Sequence, residues 1–307
     1  MQTRTTRLLS GADLITHITK KEKSPRQNYL AMYSTWFDGI VVEPELMLLP
    51  IDDHMVHRGD GVFEAMKARN GKIFLLDAHL ARLQHSCACI HLQLPMPVEE
   101  IRNLILETAR TAGQQDLVLR LFVSRGPGSF GVDPADCTAS QLYIIATRLI
   151  PTSPEKYTNG VSAAFSEIGA KSAFFARIKS CNYLPNVLMR QEARMRNVDL
   201  MIGIDENKCI LEGATENFAI ISHKGDLCVP SFDRTLRGTT LELLMHAVQS
   251  GAWPALKCIQ GPITTIDVLQ AREAYFIGTT IDVLPVSKVE NHPIGQGVPG
   301  KWASIFN

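Results

Sequence analysis

The chain has 307 residues, 45% of them hydrophobic and 20% charged, with 31 basic and 31 acidic side chains and a formal net charge of zero. That balance lacks the basic footprint of a nucleic-acid binder or of a protein drawn to anionic membranes, and apolar runs such as Leu46 to Ile51 are too short to cross a bilayer. The seven cysteines are odd in number and show no metal-ligand pairing, which predicts free thiols in a reducing cytoplasm and no metal.

In chain order, residues 1–30 are polar and basic, without an apolar segment of signal-peptide length, and read as a peripheral extension. Gly61 to Lys67 reads as a strand. Asn70-Gly71 before the apolar Ile73 to Leu76 predicts a hairpin. Asp77 is placed to cap a helix running to about Ile90, with Leu80, Leu83, Cys87 and Ile90 on one face. Pro97 opens a second helix, with Ile101, Leu104, Ile105 and Thr108 inward. Strands follow at Leu117 to Ser124 and Gln141 to Arg148, flanking a Gly/Pro-rich loop from Arg125 to Gly128. Pro151-Thr152-Ser153-Pro154 is the expected linker. It divides a small α+β domain, residues 31–150, from a larger C-terminal domain, residues 151–307, and the length suits two such units better than one core. Beyond it, Val161 to Phe165 reads as a strand and Asn182 to Arg196 as a helix. A meander of Leu200 to Asp205 and Cys209 to Ser222 comes next, with turns at Glu206 to Lys208 and at Lys224-Gly225. Thr239 to Glu242 reads as a capping box opening a helix to Gln249, with Gly251 at its end. A strand from Ala274 to Ile277 leads into Gly278-Thr279-Thr280.

Three residues stand out chemically. Lys179 precedes a helix, where a cation opposes the macrodipole; burial there would lower its pKa and make it a nucleophile. Glu212 stands at a glycine-containing turn, and Tyr183 is four residues past the lysine. A lysine, a carboxylate and a phenol are what pyridoxal phosphate requires, for its aldehyde, its pyridine nitrogen and its ring oxygen. The bland readings are a surface lysine and a turn carboxylate. A phosphate would suit Leu236 to Thr240, where a glycine and two hydroxyls meet a helix N-terminus, although an ordinary capping box has the same composition. Arg82 could add a cationic fork, and Thr279 and Thr280 further donors. Glu216 and Asn217 are expected on the Glu212 strand, with Glu216 sharing its face. The histidines His54, His57, His79, His85 and His91 crowd one region without metal-ligand spacing. No Walker, G-x-S-x-G or G-x-G-x-x-G pattern is present.

The ordered set His57 to Glu64, His79-Leu80-Ala81-Arg82-Leu83, the Lys179 and Glu212 segments, Leu236 to Thr240 and Gly278-Thr279-Thr280 resembles the fold-type IV pyridoxal-phosphate enzymes. These are the class IV aminotransferases: branched-chain and D-amino-acid aminotransferases and aminodeoxychorismate lyases. The resemblance covers about Tyr33 to Ser304. It implies a two-domain α+β or α/β architecture with the cofactor between the domains, working as a homodimer. It makes Lys179 the Schiff-base lysine, Glu212 the partner of the pyridine nitrogen and Tyr183 the partner of the ring oxygen. Arg82, Thr239, Thr240 and Thr279 would hold the phosphate, with Thr280 near the substrate carboxylate and Arg58 a further substrate residue. Lys-Ser-x-Asn followed by Gln191-Glu192-Ala193 looks most like the D-amino-acid group. Ser124-Arg125-Gly126 is not followed by the histidine of the best-known members, and Gly59-Asp60-Gly61 also resembles the lyases. The expected activity is amino transfer between an amino acid, branched-chain or D, and a 2-oxo acid. The alternatives are the lyase, releasing pyruvate and 4-aminobenzoate, and a non-catalytic binding module.

Overall fold

The structure is a computed structural model and describes residues 8–19, 25–113 and 115–307. Residues 1–7 and 20–24 of the expected extension lie outside the described residues; the rest of it includes a helix, α1 (Gly11–Thr19), with no buried side chain.

Six antiparallel strands form the first sheet: β1 (Tyr29–Ser34), β2 (Gly39–Val41), β3 (Gly61–Arg69), β4 (Lys72–Ile73), β5 (Leu117–Ser124) and β6 (Gln141–Arg148), in the order β2-β1-β6-β5-β3-β4. Asn70 and Gly71 both take positive φ, 49° and 72°, as a tight hairpin turn requires. Helices α2 (His54–Arg58), α3 (Leu76–Cys89) and α4 (Val98–Thr111) follow the same half of the chain. Leu80, Leu83 and Cys87 of α3 and Ile101 and Ile105 of α4 bury against Val62, Met66, Leu119, Leu121 and Ile144. Two helix starts differ from the sequence reading. Asp77 is not the cap of α3: Leu75, with φ 52°, holds that position without a side-chain bond, and the Asp77 carboxylate receives Arg102 at 2.6 Å. Pro97 sits one residue before α4, at its N-cap.

The second sheet contains β7 (Val161–Phe165), β8 (Leu200–Ile202), β9 (Asn217–Ile221), β10 (Leu227–Val229), β11 (Cys258–Gln260), β12 (Glu273–Gly278), β13 (Asp282–Val289) and β14 (His292–Pro293). Its order is β11-β10-β9-β12-β13-β7-β8, with β14 on β13, and pairing is mixed. Helices α5 (Pro154–Asn159), α6 (Ala173–Ala176), α7 (Leu184–Met195), α8 (Thr239–Gln249), α9 (Thr265–Leu269) and α10 (Lys301–Phe306) surround it. The expected strand over 209–222 is broken. Gly213 N–H donates to the Glu216 carbonyl at 2.7 Å, and Glu212 pairs across this turn with Asn217. Glu216 therefore does not share a strand face with Glu212. A Cβ on Gly213 would lie 3.0 Å from the Phe276 ring, so the turn needs its glycine. The expected capping box is also absent. Gly238 is the N-cap of α8 with no side-chain bond, and Glu242 pairs with Arg237 at 3.0 Å.

One segment crosses between the halves. At its Gly61 end β3 has β5 on one side only, and Lys179 to Cys181 take the other. Phe63 N–H donates to the Lys179 carbonyl and Cys181 N–H to the Gly61 carbonyl, both at 2.9 Å. Ile178 packs into the first core.

Asp53 anchors the neighbouring loop. Buried completely, it accepts from Ser124 Oγ at 2.7 Å, Tyr143 OH at 3.0 Å and Met55 N–H at 2.9 Å. Asp53→Ala leaves those donors unpaired and should cost about 2–4 kcal/mol in urea unfolding. A change below about 0.5 kcal/mol would mean the cluster is not structural.

Candidate active site

Lys179 is held by backbone bonds to β3 and by its own N–H to Ser86 Oγ at 3.3 Å. Its Nζ is buried and lies 4.6 Å from the centre of the Phe63 ring. Burial, aided by the Arg82 charge and partly offset by Glu64 and Glu212, lowers its pKa from 10.5 to about 8. Phe63 can meet it because Val62 and Met66 point to the helices and Phe63, on the alternate positions of β3, points the other way. Tyr183, at the N-cap of α7, stands edge-on to the same ring at 4.9 Å. Burial pushes its phenol pKa up, with Glu212 adding to the effect, so it stays a neutral donor.

Glu212 owes its position to the Gly213 turn. Its Oε2 accepts from Leu236 N–H at 3.1 Å and faces the Asn217 amide at 3.4 Å. Asn217 also donates to the Leu236 carbonyl at 2.8 Å. Burial raises the Glu212 pKa to about 7, against the pull of the Leu236 N–H, Lys171 and Lys179.

Arg82 is fixed by a residue the sequence reading quoted but gave no role. Glu64, buried on β3, accepts from Arg82 Nε and Nη2, both at 2.7 Å, and from His79 Nδ1 at 2.7 Å. Burial alone would raise the Glu64 pKa, but Arg82 and His79 hold it at about 2. Arg82 Nη1 reaches the Arg237 carbonyl at 2.8 Å, and His79 Nε2 lies 3.3 Å from Thr239 Oγ1. Three of the five guanidinium N–H groups are thus spent on orientation, leaving the others for a ligand.

Seven of the residues singled out from sequence line one pocket: Arg82, Lys179, Tyr183, Glu212, Thr239, Thr240 and Thr279. Arg82 and the uncapped start of α8 make one end cationic and rich in donors. Glu212 stands at the pocket with an amine and a phenol beside it, which fits a phosphorylated pyridine aldehyde. Gly238 is required here, since a Cβ would fall 1.7 Å from Asn217 Oδ1.

Arg58 and Thr280 do not line this pocket. Arg58 donates to the carbonyls of His57, Phe130 and Gly131, and borders a separate cavity with Lys171 and Phe175. Thr280 lines a cavity with Tyr29, Arg120 and Thr147. Glu64, His79 and Asn217 stand in the sequence motifs but were given no role there. A signal existed for His79, which lies three residues before Arg82 and so shares its helix face. Among the described residues, no three His, Cys, Asp or Glu side chains converge to hold a metal.

Residues 61–289 match the family model for amino-transferase class IV. The D-amino-acid transaminase, chloroplastic, of Arabidopsis thaliana is 37% identical over 91% of this chain and 75% of that protein. A putative branched-chain-amino-acid aminotransferase of Methanocaldococcus jannaschii is 26% identical over 87% of this chain and 91% of its own length. The fold is shared with the Escherichia coli branched-chain amino acid aminotransferase, with a TM-score of 0.83, 21% identity and coverage of 91% and 92% of the two chains. The architecture is therefore that of the fold-type IV enzymes, and the chain belongs to the class IV aminotransferases.

Proposed function

We propose that this chain transfers an amino group between an amino acid and a 2-oxo acid, using pyridoxal phosphate held in the pocket around Lys179. The observation that carries the reading is the convergence of seven residues, from both sheets and their helices, on one pocket with a buried lysine. Bound there, the cofactor supplies an electron-withdrawing ring that acidifies the Cα proton of an amino acid. Lys179 binds the aldehyde and, as a free amine, takes and returns the proton at Cα; a pKa near 8 leaves a usable unprotonated fraction at neutral pH. Glu212 would hold the ring nitrogen and its proton, and Tyr183 would donate to the ring oxygen. Arg82, Thr239, Thr240 and Thr279 hold the phosphate. Arg58 serves the substrate by placing the loop at Phe130 and Gly131, and the cavity that Thr280 lines is separate from this pocket.

The relatives named above are aminotransferases, which favours transfer over the lyase reaction. A D-amino acid is the preferred donor class in this reading, because the relative at 37% identity is named for it. The chain divides near residue 150 into two domains, in keeping with the strands of each sheet lying wholly on one side. It acts as a homodimer, supported by exposed Val56 and Phe130 beside Arg58; sedimentation of the purified chain reads this directly. A cytoplasmic setting is in keeping with seven free thiols, although the Arabidopsis relative is named chloroplastic. Among the described residues no helix is long and apolar enough to cross a membrane.

Lys179→Ala should fold, lose the visible cofactor band and slow transfer by at least about 10²–10⁴-fold. Transfer at the wild-type rate would falsify the assignment. Single L- and D-amino acids added to the cofactor-loaded protein should bleach the visible band with one series, establishing handedness. A band that resists every amino acid would turn the reading to the lyase. Gly238→Ala should weaken pyridoxal phosphate binding about tenfold or more, roughly 1.4 kcal/mol, as Asn217 is displaced; unchanged affinity in a calorimetric titration would remove α8 from the phosphate site.

A further inference from the structure

A second lysine lines a cavity that Glu212 also borders. Lys171 lies between β7 and α6, and its Nζ sits 4.5 Å from the centre of the Tyr183 ring, over its face. It lines a cavity of about 40 Å³ together with Asn186, Glu212 and Arg234. Asn186 is buried; its amide donates to the Ala214 carbonyl, while its Oδ1 has no protein donor. A cavity of that size admits water, and an ammonium, a carboxylate and an amide oxygen are partners enough to order it. We propose that Lys171 is a positioning residue: beside this cavity and over the Tyr183 ring, its ammonium favours the ionised form of the Glu212 carboxyl and holds it for the ring nitrogen.

The surroundings leave that task to Lys171. Of the charged groups that act on Glu212, Lys179 is the nucleophile and changes its charge and bonding in the reaction. Glu216 repels. Arg234, across the cavity, is engaged by Asp205 at 2.9 Å and by Glu206 at 3.0 Å. The Tyr183 phenol is neutral. Lys171 is the remaining cation, seated against the Tyr183 ring and outside the bond-making chemistry. Its own pKa is lowered by burial, with Glu212 offsetting part of that, the reciprocal of the same attraction. The idea rests on the pyridoxal-phosphate reading only in naming what Glu212 faces; the Lys171–Glu212 coupling exists in the protein without cofactor.

The test therefore starts without cofactor. In full-length protein carrying ¹³C-labelled glutamate carboxyls, the Glu212 signal is identified by its loss in Glu212→Gln and followed against pH. Removing a nearby cation makes a carboxyl harder to ionise, so Lys171→Met should move the midpoint up by about one pH unit, while Lys171→Arg should hold it near the wild-type value. Lys171→Gln gives a second uncharged side chain should Lys171→Met not fold. Pyridoxal phosphate should then bind several-fold more weakly to the uncharged variants near neutral pH, with Lys171→Arg restoring affinity. An unchanged Glu212 midpoint in both uncharged variants overturns the proposal. Failure of the wild-type protein to bind pyridoxal phosphate would instead overturn the proposed function, whatever the carboxyl titration shows.

Discussion

A carboxylate sealed inside a protein must be neutralised by partners that cannot wander, and Glu64 imposes that condition on this molecule. Its two oxygens receive Arg82 twice and His79 once, all at 2.7 Å. Because β3 supplies the acid and α3 both partners, the sheet and its helix are locked in one register. Arg82 and His79 then extend to Arg237 and Thr239, so the same charge cluster reaches the start of α8 in the other half of the chain. The arginine that faces the pocket is rigid because most of its donors are spent inward.

The lysine is placed by a related economy. β3 carries β5 along one edge and leaves the other open near Gly61, and an open strand edge seeks a partner. The segment around Lys179 fills it. The backbone is then held to the first sheet while Tyr183 starts a helix that packs on the second. Phe63, pointing away from the helix-facing core, meets both Lys179 and Tyr183. Two lysines, two carboxylates and an arginine thus meet in one buried region, and each pKa follows from it: Glu64 held down by direct ion pairs, Glu212 raised by burial with weaker compensation, and Lys179 lowered by burial and by Arg82.

Local signals served well wherever local physics decides. The strands Leu117–Ser124, Gln141–Arg148 and Val161–Phe165 have the bounds their apolar patterns suggested, and Asn70-Gly71 makes the expected turn. The failures differ in reach. Asp77 and Glu242 were expected to cap helix starts, and Glu216 to share a strand face with Glu212. In the fold Asp77 is drawn to Arg102, 25 residues away, Glu242 to Arg237, and Glu216 to its neighbour Thr215 within a turn that packing against Phe276 imposes. At Asp77 a distant partner outweighed the cap, while at Glu242 and Glu216 a different near neighbour took the carboxylate.

By itself the sequence determined the element types over most of the chain, and the order of Lys179, Tyr183, Glu212 and the glycine–threonine segment that marks the family. Those are matters of spacing and residue chemistry, which a linear chain displays. Only the tertiary structure decided that Glu64 orients Arg82, that Arg58 spends its donors on a loop, that Thr280 opens on a different cavity and that Lys171 shares a cavity with Glu212. Each of these depends on the distance between residues far apart along the chain, and burial, which sets the charge a side chain can keep, exists only once those residues have packed together.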